Sequence, residues 1–167
     1  MNIHFKIPTA LLDEVLADLK RPHPFAAERL GFLAGKCCSS REGLLLIAHS
    51  YLVTPDDWYI DDNAYGCVFG PQAIRAAMQV CLDKKACMFH VHLHDHEGIP
   101  TFSRADLRES ANFIPDFFNV RPEIPHGAVV LSSDKAVGLC WYPSREKPMR
   151  INKFSGVGFP MRHVGRL

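Results

Sequence analysis

Four histidines stand at alternate positions near the middle of the chain, and a serine and an aspartate follow them after a polar turn. These residues are, in order, His90, His92, His94, His96, Ser103 and Asp106. Side chains on a β-strand alternate between its two faces, so the imidazoles share one face with successive α-carbons about 6.6 Å apart. Two neighbouring imidazoles of such a row can converge on one cation. Zinc fits this chemistry, because a catalytic zinc takes three protein ligands and leaves a fourth position for water.

His92 and His94 supply two ligands in this interpretation, and Asp106 is the leading candidate for the third. Asp106 falls in the first turn of the next predicted helix, where the helix dipole favours a carboxylate. Glu97 is a competing third ligand. The spacing SxxD also matches a capping box, in which Ser103 caps the helix and Asp106 reaches back to the Ser103 amide. The pattern by itself therefore allows both a metal site and an ordinary helix cap.

The run HVHLH also resembles the signature of the histidine triad nucleotide hydrolases and transferases, in which the middle imidazole attacks a phosphoryl group. The match is confined to residues 90–96, and the two apolar residues expected at its end are Asp95 and His96 here. A barrel amidohydrolase, which also uses HxH, needs about 250 residues. This chain has 167.

Two separate stretches together resemble the JAMM motif of the JAB/MPN zinc metalloproteases. Glu28 opens ERLGFLAG, which fits ExxGxLxG, and the later stretch fits a histidine pair followed by SxxD at the required spacing. The resemblance runs from about Glu28 to Asp106. Neither stretch is specific alone, because HxH is common, SxxD is a helix cap, and the glycines of ERLGFLAG can serve close strand packing. Their agreement identifies the chain as resembling this family.

The resemblance implies one Zn²⁺ per chain, held by His92, His94 and Asp106 with water in the fourth position. Glu28 is then the general base that takes the proton of the water and passes it to the departing amine. Ser103 donates a hydrogen bond to the oxyanion of the substrate. The implied reaction is peptide or isopeptide hydrolysis after the C-terminal glycine of a ubiquitin-like protein, in deconjugation or in precursor processing.

The partners implied by the resemblance are a ubiquitin-like protein or its conjugates. E1/E2-like conjugation proteins are further partners of this kind. Compact bacterial relatives are associated with ubiquitin-like conjugation operons, including those for antiviral defence, and with sulfur-carrier pathways. A metal-free MPN-type scaffold that only binds partners is the alternative from another class. The intact set of motif residues counts against that alternative.

We have separate expectations for two residues next to the motif. The family usually has a proline directly after the second histidine, and this chain has Asp95 there. We expect Asp95 to hydrogen-bond a ligand histidine from outside the ligand set. His90 receives no role in the family, and we interpret it as a structural histidine whose hydrogen bonds are satisfied.

Length and composition indicate a single domain, residues 1–167, with 47% apolar residues. Nineteen basic and eighteen acidic residues leave a formal charge of +1, so nothing in the balance indicates nucleic acid or an anionic membrane as a partner. The N-terminus lacks the features of a secretory signal, and no run reaches the roughly 18 apolar residues of a membrane span. The six cysteines show no disulfide-framework spacing. We expect a soluble, cytoplasmic protein.

Hydrophobic periodicity predicts an α/β or α+β fold, a curved mixed sheet flanked by about three helices; the resemblance implies the cytidine-deaminase-like JAB/MPN fold. Thr9 is expected to cap the first helix, and Pro115 to kink or end the third. The predicted strands are 3–7, 29–35, 43–53, 86–94, a hairpin around residues 134 and 135, 149–154 and 158–164. The predicted helices are 11–19, 71–84 and 103–118.

Overall fold

Eight strands form one mixed sheet in the computed structural model of the chain, which describes residues 1–62, 66–144 and 146–158. The strands are β1 (Ile3–Pro8), β2 (Leu30–Ser40), β3 (Gly43–Val53), β4 (Cys87–Leu93), β5 (His126–Leu131), β6 (Ala136–Trp141), β7 (Met149–Arg150) and β8 (Lys153–Val157). Their order across the sheet is β7-β6-β5-β4-β2-β3-β1-β8. The histidine-bearing strand β4 therefore lies in the interior of the sheet, antiparallel to β2 and parallel to β5.

Among the described residues, three α-helices cover the two faces of the sheet. They are α1 (Thr9–Leu19), α2 (Pro71–Lys84) and α3 (Arg104–Phe113), and short 3₁₀ helices span Asp56–Trp58 and Ile114–Asn119. Side chains of α1 join one apolar core, and side chains of α2 and α3 join a second core on the opposite face of β4. The expected α+β class is confirmed. Within the described residues, no helix combines the length and the apolar character needed to cross a membrane.

The segment between β7 and β8 brings the two ends of the sheet together. The Ile151 amide donates to the Gly138 carbonyl of β6 over 2.9 Å, and the Asn152 amide donates to the Ile3 carbonyl of β1 over 2.9 Å. The Asn152 side chain accepts the Ile3 amide in return. The sheet is therefore curled, and α1 packs with the apolar side chains that the curl encloses.

Most of the predicted elements are confirmed. Pro115 ends the third helix, since α3 stops at Phe113 and continues as a 3₁₀ helix. The expected Thr9 cap is wrong, because α1 starts directly after β1 and the Thr9 hydroxyl donates to the Gly158 carbonyl instead. The predicted strand 149–154 is divided into β7 and β8. The predicted strand 158–164 lies outside the described residues except for its first residue.

Candidate metal centre

The alternation of β4 separates its side chains into two sets with different surroundings. Phe89, Val91 and Leu93 enter the core that contains α1, so the intervening histidines face the side of α2 and α3. His92 lies between Leu30 of β2 and Val130 of β5 in the register of the sheet. The backbone that carries the histidines is therefore held on both sides.

Glu28 reaches the histidines because β2 runs antiparallel to β4. Leu30 is opposite His92, so the residue two positions before Leu30 lies level with His94. The Oε1 atom of Glu28 is 3.9 Å from the Nε2 atom of His94. Its neighbour Arg29 pairs with Asp56 instead. Glu28 is thus directed at the histidine pair.

Arg29 anchors the segment that leads to Glu28, a role that the sequence analysis missed. Its side chain is 2% exposed and donates to the Arg21 and Pro22 carbonyls and to Asp56. The hydrogen bond to Asp56, opposed in part by burial, raises the pKa of Arg29. These contacts fix the entry into β2. No local sequence signal marks them, because Asp56 is 27 residues away.

Asp106 is placed by the first turn of α3. The Asp106 amide donates to Ser103 Oγ over 3.1 Å, and the Ser103 amide donates to Asp106 Oδ2 over 2.7 Å, so the capping box is present. The same Oδ2 atom lies 3.5 Å from His92 Nε2 and 3.9 Å from His94 Nε2. Partial burial acts to raise the pKa of Asp106, but the His92 and Ser103 interactions outweigh it and lower the pKa well below its ordinary value. The cap thus orients the carboxylate towards the histidines.

The spacing of the ligand atoms fits a tetrahedral zinc ion. Zinc binds nitrogen and oxygen at about 2.0–2.2 Å, so ligand atoms of a tetrahedral site lie about 3.3–3.5 Å apart. The His92 and His94 Nε2 atoms are 3.2 Å apart, and Asp106 Oδ2 lies at the two distances given above. Small side-chain rotations would bring the 3.9 Å distance between Asp106 Oδ2 and His94 Nε2 into the range of a tetrahedral site. Two imidazoles and a carboxylate are also ligands that zinc commonly takes.

Two carboxylates compete for the third ligand position. One ligand atom each of Glu28, His92 and His94 lie within 4.8 Å of one another, so Glu28 also forms a trio with the histidines. Asp106 lies closer to the histidine pair, because its Oδ2 atom is 3.5 Å and 3.9 Å from the two Nε2 atoms, whereas the Glu28 carboxylate is 3.9 Å from His94 Nε2. Glu28 is also 41% exposed and remains open to solvent. Glu97, the competitor considered from the sequence, is exposed and is not part of the cluster.

The expected hydrogen bond from Asp95 to a ligand histidine is wrong. The Asp95 carboxylate is 73% exposed and lies 3.7 Å from Lys20 Nζ at the end of α1. His94 and Asp95 follow the end of β4 at Leu93, and the Asp95 carboxylate pairs with Lys20. His96, also exposed, directs its Nδ1 atom to the Glu97 carbonyl. The ion pair with Lys20 links this turn to α1.

His90 differs from its expected state as a satisfied structural histidine. The residue is 8% exposed, and neither ring nitrogen has a hydrogen-bond partner among the described residues. Its ring stacks on Phe69 with centroids 5.9 Å apart and meets the edge of Phe113 at 5.4 Å. Burial, with a smaller contribution from His92, lowers the pKa of His90 to about 3. A neutral imidazole is therefore held in an aromatic surrounding.

The glycines of ERLGFLAG serve strand packing. A Cβ atom on Gly31 would collide with the ring of Tyr51 on β3, whose hydroxyl donates to Asp18 over 2.7 Å. A Cβ atom on Gly35 would lie 2.7 Å from the Ile47 carbonyl oxygen, beside an irregularity in the β2–β3 pairing. Close packing thus accounts for both glycines, and Glu28 is the residue of this stretch that takes part in the cluster.

Comparison with known proteins does not identify a family. No protein-family model matches the chain, and no curated protein matches it. Among solved structures, the STIL N-terminal domain of Trichoplax adhaerens is similar at 8% sequence identity and a TM-score of 0.35. The alignment covers 79% of this chain and 38% of that one. A likeness at this level bears neither on the JAB/MPN resemblance nor on function.

Proposed function

We propose that the chain is a JAMM-type zinc metalloprotease, with residues 1–167 forming one cytidine-deaminase-like JAB/MPN domain. In this proposal it works in the cytoplasm and cleaves peptide or isopeptide bonds after the C-terminal glycine of a ubiquitin-like protein. The observation that carries the proposal is the convergence of His92, His94 and Asp106, with Glu28 beside them. Two separate stretches of the chain supply these side chains, as the motif requires.

Each residue of the cluster has a distinct task in the proposed hydrolysis. His92, His94 and Asp106 would hold a zinc ion. The chemistry that zinc would supply there is a lower pKa of water, about 7, and polarisation of the substrate carbonyl. Glu28 accepts a proton at its carboxylate and delivers it to the departing amine, work worth about 10²- to 10⁴-fold in rate. Its partial exposure leaves it accessible to the substrate.

In the proposed mechanism, the Ser103 hydroxyl donates a hydrogen bond to the substrate oxyanion. In the capping box, Ser103 Oγ accepts a hydrogen bond from the Asp106 amide through a lone pair. The O–H group itself is not used by the cap. Ser103 is also exposed at the start of α3, where the positive end of the helix dipole favours negative charge. The cap and the proposed catalytic role are therefore compatible.

The alternative functions fit the geometry less well. In a histidine triad enzyme, the middle imidazole, His92, must be free to attack a phosphate. Here its Nε2 atom faces Asp106 and His94, and Glu28 adds a second carboxylate to the cluster. Two carboxylates favour a cation and oppose a phosphate anion. A metal-free scaffold has no need for these side chains to converge.

Cleavage of ubiquitin-like fusions tests the proposed function. The full chain is incubated with a panel of ubiquitin-like proteins fused through their C-terminal glycine to a reporter. We expect release of the reporter from at least one fusion, loss of release with a zinc chelator, and recovery when zinc is added back. Binding of a fusion without cleavage by zinc-loaded protein supports the scaffold. Cleavage that resists the chelator contradicts a metalloprotease.

Replacement of Ser103 separates helix capping from catalysis. Ser103→Ala removes the cap acceptor and the hydroxyl donor, so we expect a loss of about 1 kcal/mol in the free energy of unfolding. Turnover should fall about 10²- to 10³-fold. Ser103→Gly is the matched variant, because glycine costs only a few tenths of a kcal/mol at an N-cap but also lacks the hydroxyl. Equal turnover of Ser103→Gly and wild type rules out the oxyanion role.

A further inference from the structure

The first residue of β2 lies beyond the end of the neighbouring strand β3. Leu30 begins β2 and is paired with His92 of β4. On the other side of β2, the pairing with β3 begins at Gly31, which is opposite Val53, the last residue of β3. Leu30 is buried, and buried peptide groups need hydrogen-bond partners. Its backbone therefore needs a partner that β3 does not supply.

The hydroxyl of Tyr59 is that partner. It accepts a hydrogen bond from the Leu30 amide over 3.0 Å and donates one to the Leu30 carbonyl over 3.2 Å. A phenolic hydroxyl can accept and donate at the same time. Burial raises the pKa of Tyr59 to about 12, so the hydroxyl keeps its proton at neutral pH. One buried side chain thus binds both backbone groups of Leu30.

Tyr59 is itself held from two directions. Asp56, three residues earlier, accepts a hydrogen bond from Arg29, and the Arg29 guanidinium carbon lies 5.8 Å from the centroid of the Tyr59 ring. Main-chain hydrogen bonds join residues 58–60 to residues 68–70, directly before α2. The Tyr59 hydroxyl therefore contacts Leu30 from a fixed position.

Glu28 depends on these contacts because it lies outside the strand. It stands two residues before Leu30, where the pairing of β2 with β4 ends. Its carboxylate is 3.9 Å from His94 Nε2. The place of this carboxylate follows from the direction in which the chain enters β2. A misplacement of about 1 Å can cost a catalytic group about 10²-fold in rate.

We propose that Tyr59 is a positioning residue for Glu28, because its hydroxyl fixes Leu30 and thereby holds the Glu28 carboxylate beside His94. The placement of Glu28 by Tyr59 does not depend on the reaction, whereas its effect on turnover rests on the proposed function. The proposed metal ligands lie on β4, directly after it, and in α3, and β4 is also paired with β5. Tyr59 is therefore needed for Glu28 and not for the metal ion.

Tyr59→Phe keeps the buried ring and removes the hydroxyl. We expect the Leu30 amide to exchange its hydrogen about fivefold to tenfold faster than in wild type, the equivalent of one neutral hydrogen bond. Leu33, which is paired with strands on both sides, should exchange at the wild-type rate. A crystal structure of the variant should show the Glu28 carboxylate displaced by about 1 Å or more. Unchanged exchange at Leu30, or an undisplaced Glu28, overturns the proposal.

A measurement on the wild-type chain covers the case in which Tyr59→Phe does not fold. The Tyr59 hydroxyl proton should be visible by NMR and show a nuclear Overhauser effect to the Leu30 amide, because both take part in the same pair of hydrogen bonds. A hydroxyl proton that exchanges with water too quickly to be seen contradicts the proposal.

Tyr51→Phe is the matched control. Its hydroxyl donates to Asp18 and its ring packs against Gly31 of the same strand β2. Asp18 keeps its hydrogen bonds from Arg21 in this variant. We expect wild-type exchange at Leu30 and wild-type turnover. Effects as large as those of Tyr59→Phe would mean that the loss of either hydroxyl beside β2 suffices, which contradicts a specific role for Tyr59.

Turnover tests whether Tyr59 acts through Glu28. With the best fusion, we expect Tyr59→Phe to lower kcat by about 10²-fold and to keep the KM and the zinc content of wild type. Added to Glu28→Gln, the same substitution should lower kcat no further, because two residues that act through one group are not additive. A further fall in the double variant, or zinc loss in Tyr59→Phe, means that Tyr59 affects the whole site and contradicts the proposal.

Failure of the proposed function leaves a different result. If the zinc-loaded wild-type chain cleaves no fusion, the proposed function is wrong. The exchange of the Leu30 amide and the place of Glu28 in the variant structure still decide whether Tyr59 positions this carboxylate.

Discussion

The zinc content of the purified chain is expected to fall from about one ion to less than about 0.1 ion per chain when His92 is replaced by alanine. His92 is central to the cluster, because its Nε2 atom is 3.2 Å from His94 Nε2 and 3.5 Å from Asp106 Oδ2. Its removal takes away one of three protein ligands and leaves a buried space in its place. Metal analysis of the dialysed protein measures this loss directly.

Thermal unfolding provides a second measurement of the same change. A ligand that binds only the folded state at about 100 times its Kd stabilises it by about 2.7 kcal/mol. For a chain of this size that corresponds to a rise in Tm of about 5–10 °C. We expect zinc to raise the Tm of the wild-type chain by this amount and to leave the Tm of His92→Ala unchanged. This measurement needs no substrate.

Two further variants test whether the loss of zinc results from the loss of a ligand side chain. Asp106→Asn keeps an oxygen that can accept the Ser103 amide, so the capping box survives while the anionic ligand is lost. We expect this variant to lose zinc and to keep its helix. His96→Ala is the control, because His96 is exposed and contacts the Glu97 carbonyl. Full zinc content in His92→Ala and Asp106→Asn would instead mean that these residues do not hold the zinc ion and that it binds elsewhere on the chain.

The sequence predicted the elements that position the candidate site because their signals are local. Alternation of apolar residues and histidines defined β4 and its two faces. The SxxD spacing predicted the capping box at the start of α3, which the structure contains. The approach of Glu28 to His94 followed only from the motif resemblance. In the structure it depends on the antiparallel register of β2 and β4, which pairs residues about 60 positions apart.

The contacts that the sequence did not predict are long-range or depend on packing. The burial of Arg29 depends on Asp56 and two backbone carbonyls, none adjacent to it in sequence. His90 was interpreted as satisfied because nothing in the strand pattern shows that its neighbours are Phe69 and Phe113. Periodicity assigns a residue to a face. It does not show whether a hydrogen-bond partner is present on that face.

Glu28→Gln is expected to keep about one zinc ion per chain and to lose turnover by about 10²- to 10⁴-fold. Glutamine has nearly the shape of glutamate but cannot accept the proton that the proposed mechanism assigns to this carboxylate. Asp106 is the closer carboxylate to both imidazoles, so zinc binding should survive. Metal analysis and cleavage of the best fusion, measured on the same preparation, give both values.

Asp95→Asn is the matched control for this substitution, because Asp95 is also a carboxylate near the histidines and pairs with Lys20 at the surface. It should retain zinc and cleave within about twofold of the wild-type rate, as expected for an exposed ion pair. Loss of zinc in Glu28→Gln would exchange the assignments, making Glu28 a ligand and leaving Asp106 for proton transfer. Wild-type turnover in Glu28→Gln would remove Glu28 from the chemistry altogether, since no rate-limiting proton transfer could then pass through its carboxylate.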